Sequence, residues 1–318
     1  MTKPFTRALM FALPALLLWA LCVSSPLFSA LSSPPSEPAA RPKIYSIAFV
    51  RFKSTNLEKS KTFYSAILGL RPSSAECRGA SDPCFRVGET QQVQLIDGPS
   101  DSASAFLEVI ALRVENAEGM RAYLTSHGIA CSKVAPGPNG LPFVAASDPE
   151  GHLLVFVEPL MISGGPDQVT ASSQPSARMI HAGIVVRKRG VEDEFYRELL
   201  GFRLYWHGGM KTGTDDWVDM QVPDGTDWIE YMLNVSPNAS HKTLGVMNHI
   251  ALGVPDIHAA QQQLIKNGWK GTEQPKIGRD GKWQLNLYDP DQTRVELMEF
   301  TPVEKPCCSE YTCPHPKQ

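Results

Sequence analysis

Charge of one sign is not in excess in this sequence. The 30 Lys and Arg residues stand against 33 Asp and Glu, a net charge of −3. That balance implies no general attraction to nucleic acid, and no basic stripe of the kind a nucleic-acid binder shows is present. Long apolar runs are scarce. The run over residues 8–23, interrupted by Pro14, is about 16 residues long, short of the roughly 20 that span a bilayer. Lys3 and Arg7 precede it and the small-residue stretch 24–30 follows, the order of a secretory signal peptide. Residues 1–30 are therefore expected to be removed, with Ala30 as the last residue, and the protein to be exported, periplasmic or secreted. An uncleaved segment would instead anchor it. A lipoprotein reading at Cys22 fits less well, because Leu21 stands where a small residue is wanted.

Cysteine is sparse, at 7 in 318 residues. Without Cys22 there remain Cys77, Cys84, Cys131, Cys307, Cys308 and Cys313. An exported protein can form disulfides, and Cys77–Cys84 is placed to staple a loop. The tail 302–318, with Cys307, Cys308, Cys313 and His315, reads either as a metal-binding or disulfide-bonded knot or as a poorly ordered end, and the second is the expectation.

What is present is a folded chain of two-domain length, 42% hydrophobic and 20% charged. Four residues with strong ligand atoms, His181, Glu230, His249 and Glu296, each lie inside a short apolar run that reads as a β-strand. A lone strand histidine is more often hydrogen-bonded than a ligand, and a lone strand glutamate is by default solvated. Buried without a partner, either is costly. Together, two imidazoles and two carboxylates suit a divalent first-row metal such as zinc, nickel, iron(II) or manganese, with coordination positions left open.

The four residues are spaced 49, 19 and 47 apart, and the last strand follows the turn Asp289-Pro290-Asp291-Gln292. In this pattern residues 43–300 resemble the vicinal oxygen chelate superfamily, the fold of glyoxalases, bleomycin resistance proteins and extradiol dioxygenases. The resemblance implies an α+β fold of tandem βαβββ modules, four in all, with His on the first strand of a module and Glu on the last. It places His181, Glu230, His249 and Glu296 on one metal ion, Ni, Zn, Mn or Fe(II), in a U-shaped cleft. Tyr205, Trp206, Trp217, Trp228, Trp283 and Tyr288 are candidates to line or pack around that cleft.

The chain divides on this reading into a flexible lead-in 31–42, a first domain 43–160, a Gly, Ser, Pro and Gln-rich linker 161–178, a second domain 179–301 and the tail. Helices are expected over 56–68, 116–127, 191–200 and 257–267, each stopped by glycine. Residues 236–245 are expected to be a crossing loop. The first domain repeats the plan of the second, and alignment of the repeats puts Ser46, Gln94, Glu108 and Val155 at the ligand positions. That set predicts a degenerate domain without a metal site. His152 is expected at the surface, and His127 at a helix end without function. His207 and His241 are expected to flank the cleft, and His258 to be exposed. Arg203, Arg279 and Lys282 are placed either to steer an anionic substrate or on the surface.

The resemblance implies isomerase, lyase or epimerase chemistry on a small substrate held through vicinal oxygens, with Glu296 and Glu230 as proton carriers. One alternative is an extradiol dioxygenase using His181, His249 and Glu296 on iron(II). Another is a binding protein that sequesters a ligand without chemistry. A homodimer is left open. The export segment argues against a glutathione adduct as substrate. Amino-terminal sequencing of protein from its host should begin near Leu31; a product starting at Met1 would contradict the export reading.

Overall fold

The computed structural model describes residues 39–73, 83–98, 106–137, 140–159 and 173–318. The expected signal segment, most of the lead-in and linker, and Cys77 lie outside them. Cys84 is disulfide-bonded. No helix among the described residues is long and apolar enough to cross a membrane.

Two eight-stranded sheets follow one plan. The first holds β1 (Ile44–Ser54), β2 (Arg71–Ser73), β3 (Cys84–Arg86), β4 (Gln92–Asp97), β5 (Leu107–Val114), β6 (Ala135–Pro136), β7 (Pro142–Ser147) and β8 (Leu153–Val157). The second holds β9 (Arg178–Val185), β10 (Arg203–Gly208), β11 (Trp217–Gln221), β12 (Trp228–Met232), β13 (His249–Val254), β14 (Lys276–Ile277), β15 (Trp283–Tyr288) and β16 (Arg294–Glu299). Their orders are β2-β3-β4-β1-β5-β8-β7-β6 and β10-β11-β12-β9-β13-β16-β15-β14. One helix follows the first strand of each module, giving four βαβββ units and the expected α+β fold. These helices are α1 (Leu57–Thr62), α2 (Ala117–Ser126), α3 (Arg189–Asp193) and α5 (Ile257–Lys266), with α4 (His241–Met247) between modules. Helices α1 and α3 continue as π-helical turns over Phe63–Ile67 and Glu194–Leu199. Helix α4 replaces the loop expected at 236–245. Ser240 caps it by accepting from the Thr243 N–H, which stabilises a start that apolar periodicity does not mark.

One apolar core runs through both sheets, from Ile44 and Phe52 through Tyr196 and Tyr231 to Leu297. A reciprocal polar lock is buried between β1 and β9. The Gln91 amide accepts from Met179 N (2.7 Å) and donates to Met179 O (2.9 Å) and Ile47 O (3.1 Å). Asp227 accepts from Ile47 N at 3.0 Å and pairs with Arg178 at 2.6 Å. Burial, opposed by Arg178, pushes the Asp227 carboxyl up to about 6. Gln91→Ala would leave Met179 N and part of Asp227 without partners. Orphaned buried groups cost about 1–3 kcal/mol, so the variant should melt several degrees lower in calorimetry, and an unchanged melting temperature would contradict the lock.

Candidate metal centre

The central strands of the second sheet run β12-β9-β13-β16, and each carries one of the four expected ligands. Register brings them level. Glu230 on β12 and His249 on β13 both pair with Gly183, while Ala251 pairs with both His181 and Glu296. Side chains two apart on a strand share a face, so all four point to one side. Small residues make the room: a Cβ at position 183 would overlap the His249 ring.

His181 Nε2 lies 3.0 Å from His249 Nε2. Glu230 Oε2 lies 3.5 Å from His181 Nε2 and 3.0 Å from His249 Nε2, and Glu296 Oε2 lies 3.7 and 3.8 Å from the same two atoms. His181, His249 and Glu296 are buried and Glu230 nearly so. Burial lowers both imidazoles well below their ordinary value, for His181 against the pull of Glu230 and for His249 with the help of Arg294. They are therefore neutral, the form that binds a metal. The His249 Nδ1–H donates to Met247 O at 3.0 Å, which fixes the tautomer and turns the Nε2 lone pair inward. Glu230 Oε2 is buried with no hydrogen-bond donor. A hard cation is what such an acceptor lacks, and the nitrogen and oxygen donor set fits a divalent first-row ion.

Three charged neighbours lie outside the expected donor set. Arg294 Nη2 contacts His249 Nε2 at 2.5 Å and lies 3.9 Å from Glu230 Oε2. Asp219 faces Glu230 across β11 and β12 and is buried. Lys282, expected to steer substrate or sit at the surface, is fully buried. Its ammonium lies 4.7 Å from the Trp228 ring and 5.1 Å from that of Tyr205, and donates to Tyr205 Oη at 3.1 Å. Burial lowers the Lys282 pKa, and Asp280 and Asp219 oppose that; burial and Glu230 raise Asp219. Burial, opposed by Arg294 and reinforced by Glu230, holds Glu296 up to about 7.

The tail corrects another expectation. It is packed, not loose: Thr312 N donates to Tyr205 O (3.0 Å), Tyr311 Oη to Asp280 O (2.8 Å), and Gln221 Nε2 to Pro314 O (2.9 Å). Cys307 and Cys308 are disulfide-bonded to each other and Cys313 is free. The Tyr311 ring packs at a tilt against Tyr205, which packs at a tilt against Trp228, whose ring contacts His181. The tail thus covers the part of the concave face that adjoins the donors.

Of the other expected cleft residues, Trp206 and Trp217 join this aromatic cluster, whereas Trp283 packs on His258. His207 bonds Asp215 at 2.8 Å, and the His241 ring meets Phe106 of the first half edge-on. Arg203 is tied to Gln221, Val222 and Gly225, and Arg279 to Gly209. In the first sheet the positions in register with the four donors are Phe49, Gln94, Val109 and Val155. The expected Ser46 and Glu108 are off register. Irregularities in the β1–β5 pairing at 44–46 and 47–49 shift the first, and Glu108 falls in a third, between the Arg51–Val109 and Phe52–Leu107 pairs, where it reaches Arg51 at 3.7 Å and Lys53 at 3.8 Å. All four counterparts line a cavity of about 580 Å³.

Residues 180–297 match the family model described as the glyoxalase/bleomycin resistance protein/dioxygenase superfamily. The second half of the chain is a domain of this superfamily. No curated protein matches the chain in sequence. Among solved structures, a variant of homoprotocatechuate 2,3-dioxygenase from B. fuscum is similar at a TM-score of 0.63 and 22% identity, covering 83% of this chain and 73% of that one. The native enzyme from Arthrobacter globiformis gives 0.62 and 22%, over 83% and 82%. The Brevibacterium fuscum enzyme complexed with 3,4-dihydroxyphenylacetate gives 0.60 and 20%, over 86% and 87%. At these identities the likeness is one of fold, and it spans both sheets.

Gly183→Ala should push the His249 ring from its place. Misorienting a ligand weakens metal affinity about 10–100-fold, measurable by chelator competition; unchanged affinity would show that His249 is not a ligand.

Proposed function

We propose that the chain is a metal-dependent enzyme that holds a small substrate through two adjacent oxygens and moves a proton on it, the isomerase, lyase or epimerase chemistry of glyoxalase-like proteins. The observation that carries this reading is the convergence of two neutral imidazoles and two carboxylates from four adjacent strands. His181, Glu230, His249 and Glu296 would hold the ion, nickel, zinc or manganese. When bound, it supplies Lewis-acid polarisation of a substrate oxygen.

The rest falls to the chain's own side chains. Glu296 and Glu230 carry Oε2 atoms on either side of the histidine pair and are the groups able to take a proton from substrate carbon and return it. Arg294 lies against the His249 Nε2 atom that would hold the ion, and its guanidinium is the cationic group at the donors able to pair with an anionic substrate oxygen. Trp228, Tyr205 and the tail exclude water from this end of the cleft. Lys282 offsets part of the charge of Asp219, Asp280 and the two glutamates. The first half serves on this reading as a degenerate partner domain, and the export segment leaves glutathione adducts outside the substrate range.

A second reading is extradiol ring cleavage with iron(II) on His181, His249 and Glu296. The likeness of both sheets to the homoprotocatechuate dioxygenases favours it. The two separate in one assay series. Metal-loaded protein should wash solvent deuterium into α-hydroxy carbonyl compounds, read by NMR, and Glu296→Gln should lower the rate about 10²–10⁴-fold, the usual worth of a general base. Oxygen uptake with catechols, retained in Glu230→Gln, would overturn the first reading in favour of the second.

A further inference from the structure

The two halves dock through a pair of corners built alike. At one, the turn Asp289–Gln292 between β15 and β16 meets the start of α1. Asp289 Oδ1 accepts from the N–H groups of Asp291 (2.8 Å) and Thr293 (2.9 Å), and Oδ2 accepts from the buried Tyr64 hydroxyl at 3.4 Å. Asp291 accepts from Thr55 N at 3.2 Å. At the other, the turn 148–151 between β7 and β8 meets the start of α3. Asp148 Oδ1 accepts from Glu150 N (3.1 Å) and His152 N (2.8 Å), and Oδ2 from the buried Tyr196 hydroxyl at 3.0 Å. Glu150 accepts from Arg187 N at 2.9 Å.

The corners differ at two positions. Where the first has Ser60 on the helix and Thr293 after the turn, the second has Glu192 and His152. Ser60 is satisfied by Ser54 at 2.8 Å. Glu192 is wholly buried; its Oε1 accepts from Glu150 N at 2.9 Å, but Oε2 is buried with no partner. His152 Nδ1 lies 2.7 Å from Asp148 Oδ2, with the side chain about a quarter exposed. One donor atom each from Asp148, His152 and Glu192 lies within 4.8 Å of the others. The first corner shows that hydroxyls suffice to dock the halves. A buried carboxylate with an unused oxygen beside a second buried carboxylate is costly unless a cation offsets it. Without one, burial and Asp148 push the Glu192 carboxyl up to about 8.

We propose that Asp148, His152 and Glu192 form a second divalent-metal site, separate from the cleft of the second sheet, that pins the β7–β8 turn of the first half to helix α3 of the second. One imidazole nitrogen and two carboxylate oxygens are a donor set that zinc accepts at about 2.0–2.2 Å, with a fourth position for water. His152 Nδ1 binds once its proton sits on Nε2. The site is structural: it lies between the halves and touches neither His181 nor Glu296.

The test uses the full-length protein and zinc alone. Anomalous diffraction at the zinc edge, on crystals of wild-type protein grown with saturating zinc, should show a peak between Asp148, His152 and Glu192. Equilibrium dialysis with elemental analysis should then give one equivalent fewer in Glu192→Gln and in His152→Ala than in wild type, and zinc should raise the melting temperature of wild type more than that of either variant. The second variant carries the comparison if the first fails to fold. No anomalous peak at this corner would overturn the proposal and leave a shared proton there. A peak confined to the cleft, with stoichiometry unchanged in both variants, would do the same.

Discussion

The register of four strands is the constraint on which the site depends. Because Gly183 pairs with both Glu230 and His249, and Ala251 with both His181 and Glu296, four polar side chains occupy one level of the sheet with nothing larger than a methyl group between them. A slip of one residue in any strand would turn its ligand to the outer face, into a packed apolar layer. The core therefore selects the site: the same alternation that puts Ala182 and Ile184 in the apolar core presents His181 to the opposite face. Neutral imidazoles and an unpartnered carboxylate oxygen are the electrostatic result.

The two halves share one apolar core, and paired polar devices set them in register. Gln91 and Asp227 occupy equivalent places and each reaches into the other half's first strand. Asp148 and Asp289 do the same from the closing turns, each meeting a buried tyrosine of the opposite half. This reciprocity fixes β1 against β9, and hence the strand that carries His181. In the first sheet the same level is filled by Phe49, Gln94, Val109 and Val155. A cleft remains there, without imidazole or carboxylate at those four positions.

Much of this was legible in the sequence, for identifiable reasons. His181, Glu230, His249 and Glu296 stand out because each interrupts an apolar strand, and their spacing matches a duplicated module. The helices over 116–127 and 257–267 announce themselves by Asn116 and Asp256 as caps and by glycine stops. Ser46 and Glu108 were misplaced because irregular pairing along β1 is invisible to a count of residues. Lys282 reads as a substrate-steering or surface residue until Tyr205, Trp228 and Tyr311, from distant parts of the chain, are seen to enclose it. The tail reads as loose because its prolines and cysteines carry no periodicity; its order comes from hydrogen bonds to Tyr205 and Gln221. Glu192 and His152 lie 40 residues apart on different halves, and only the docking of the halves brings them together.

The central claim is that the four strand residues hold one metal ion. The most direct measurement is elemental mass spectrometry on protein purified without chelators, wild type beside His249→Ala, with folding checked by circular dichroism. The account predicts that the folded variant carries one equivalent of divalent metal fewer than wild type. Equal metal content in the two proteins would contradict it.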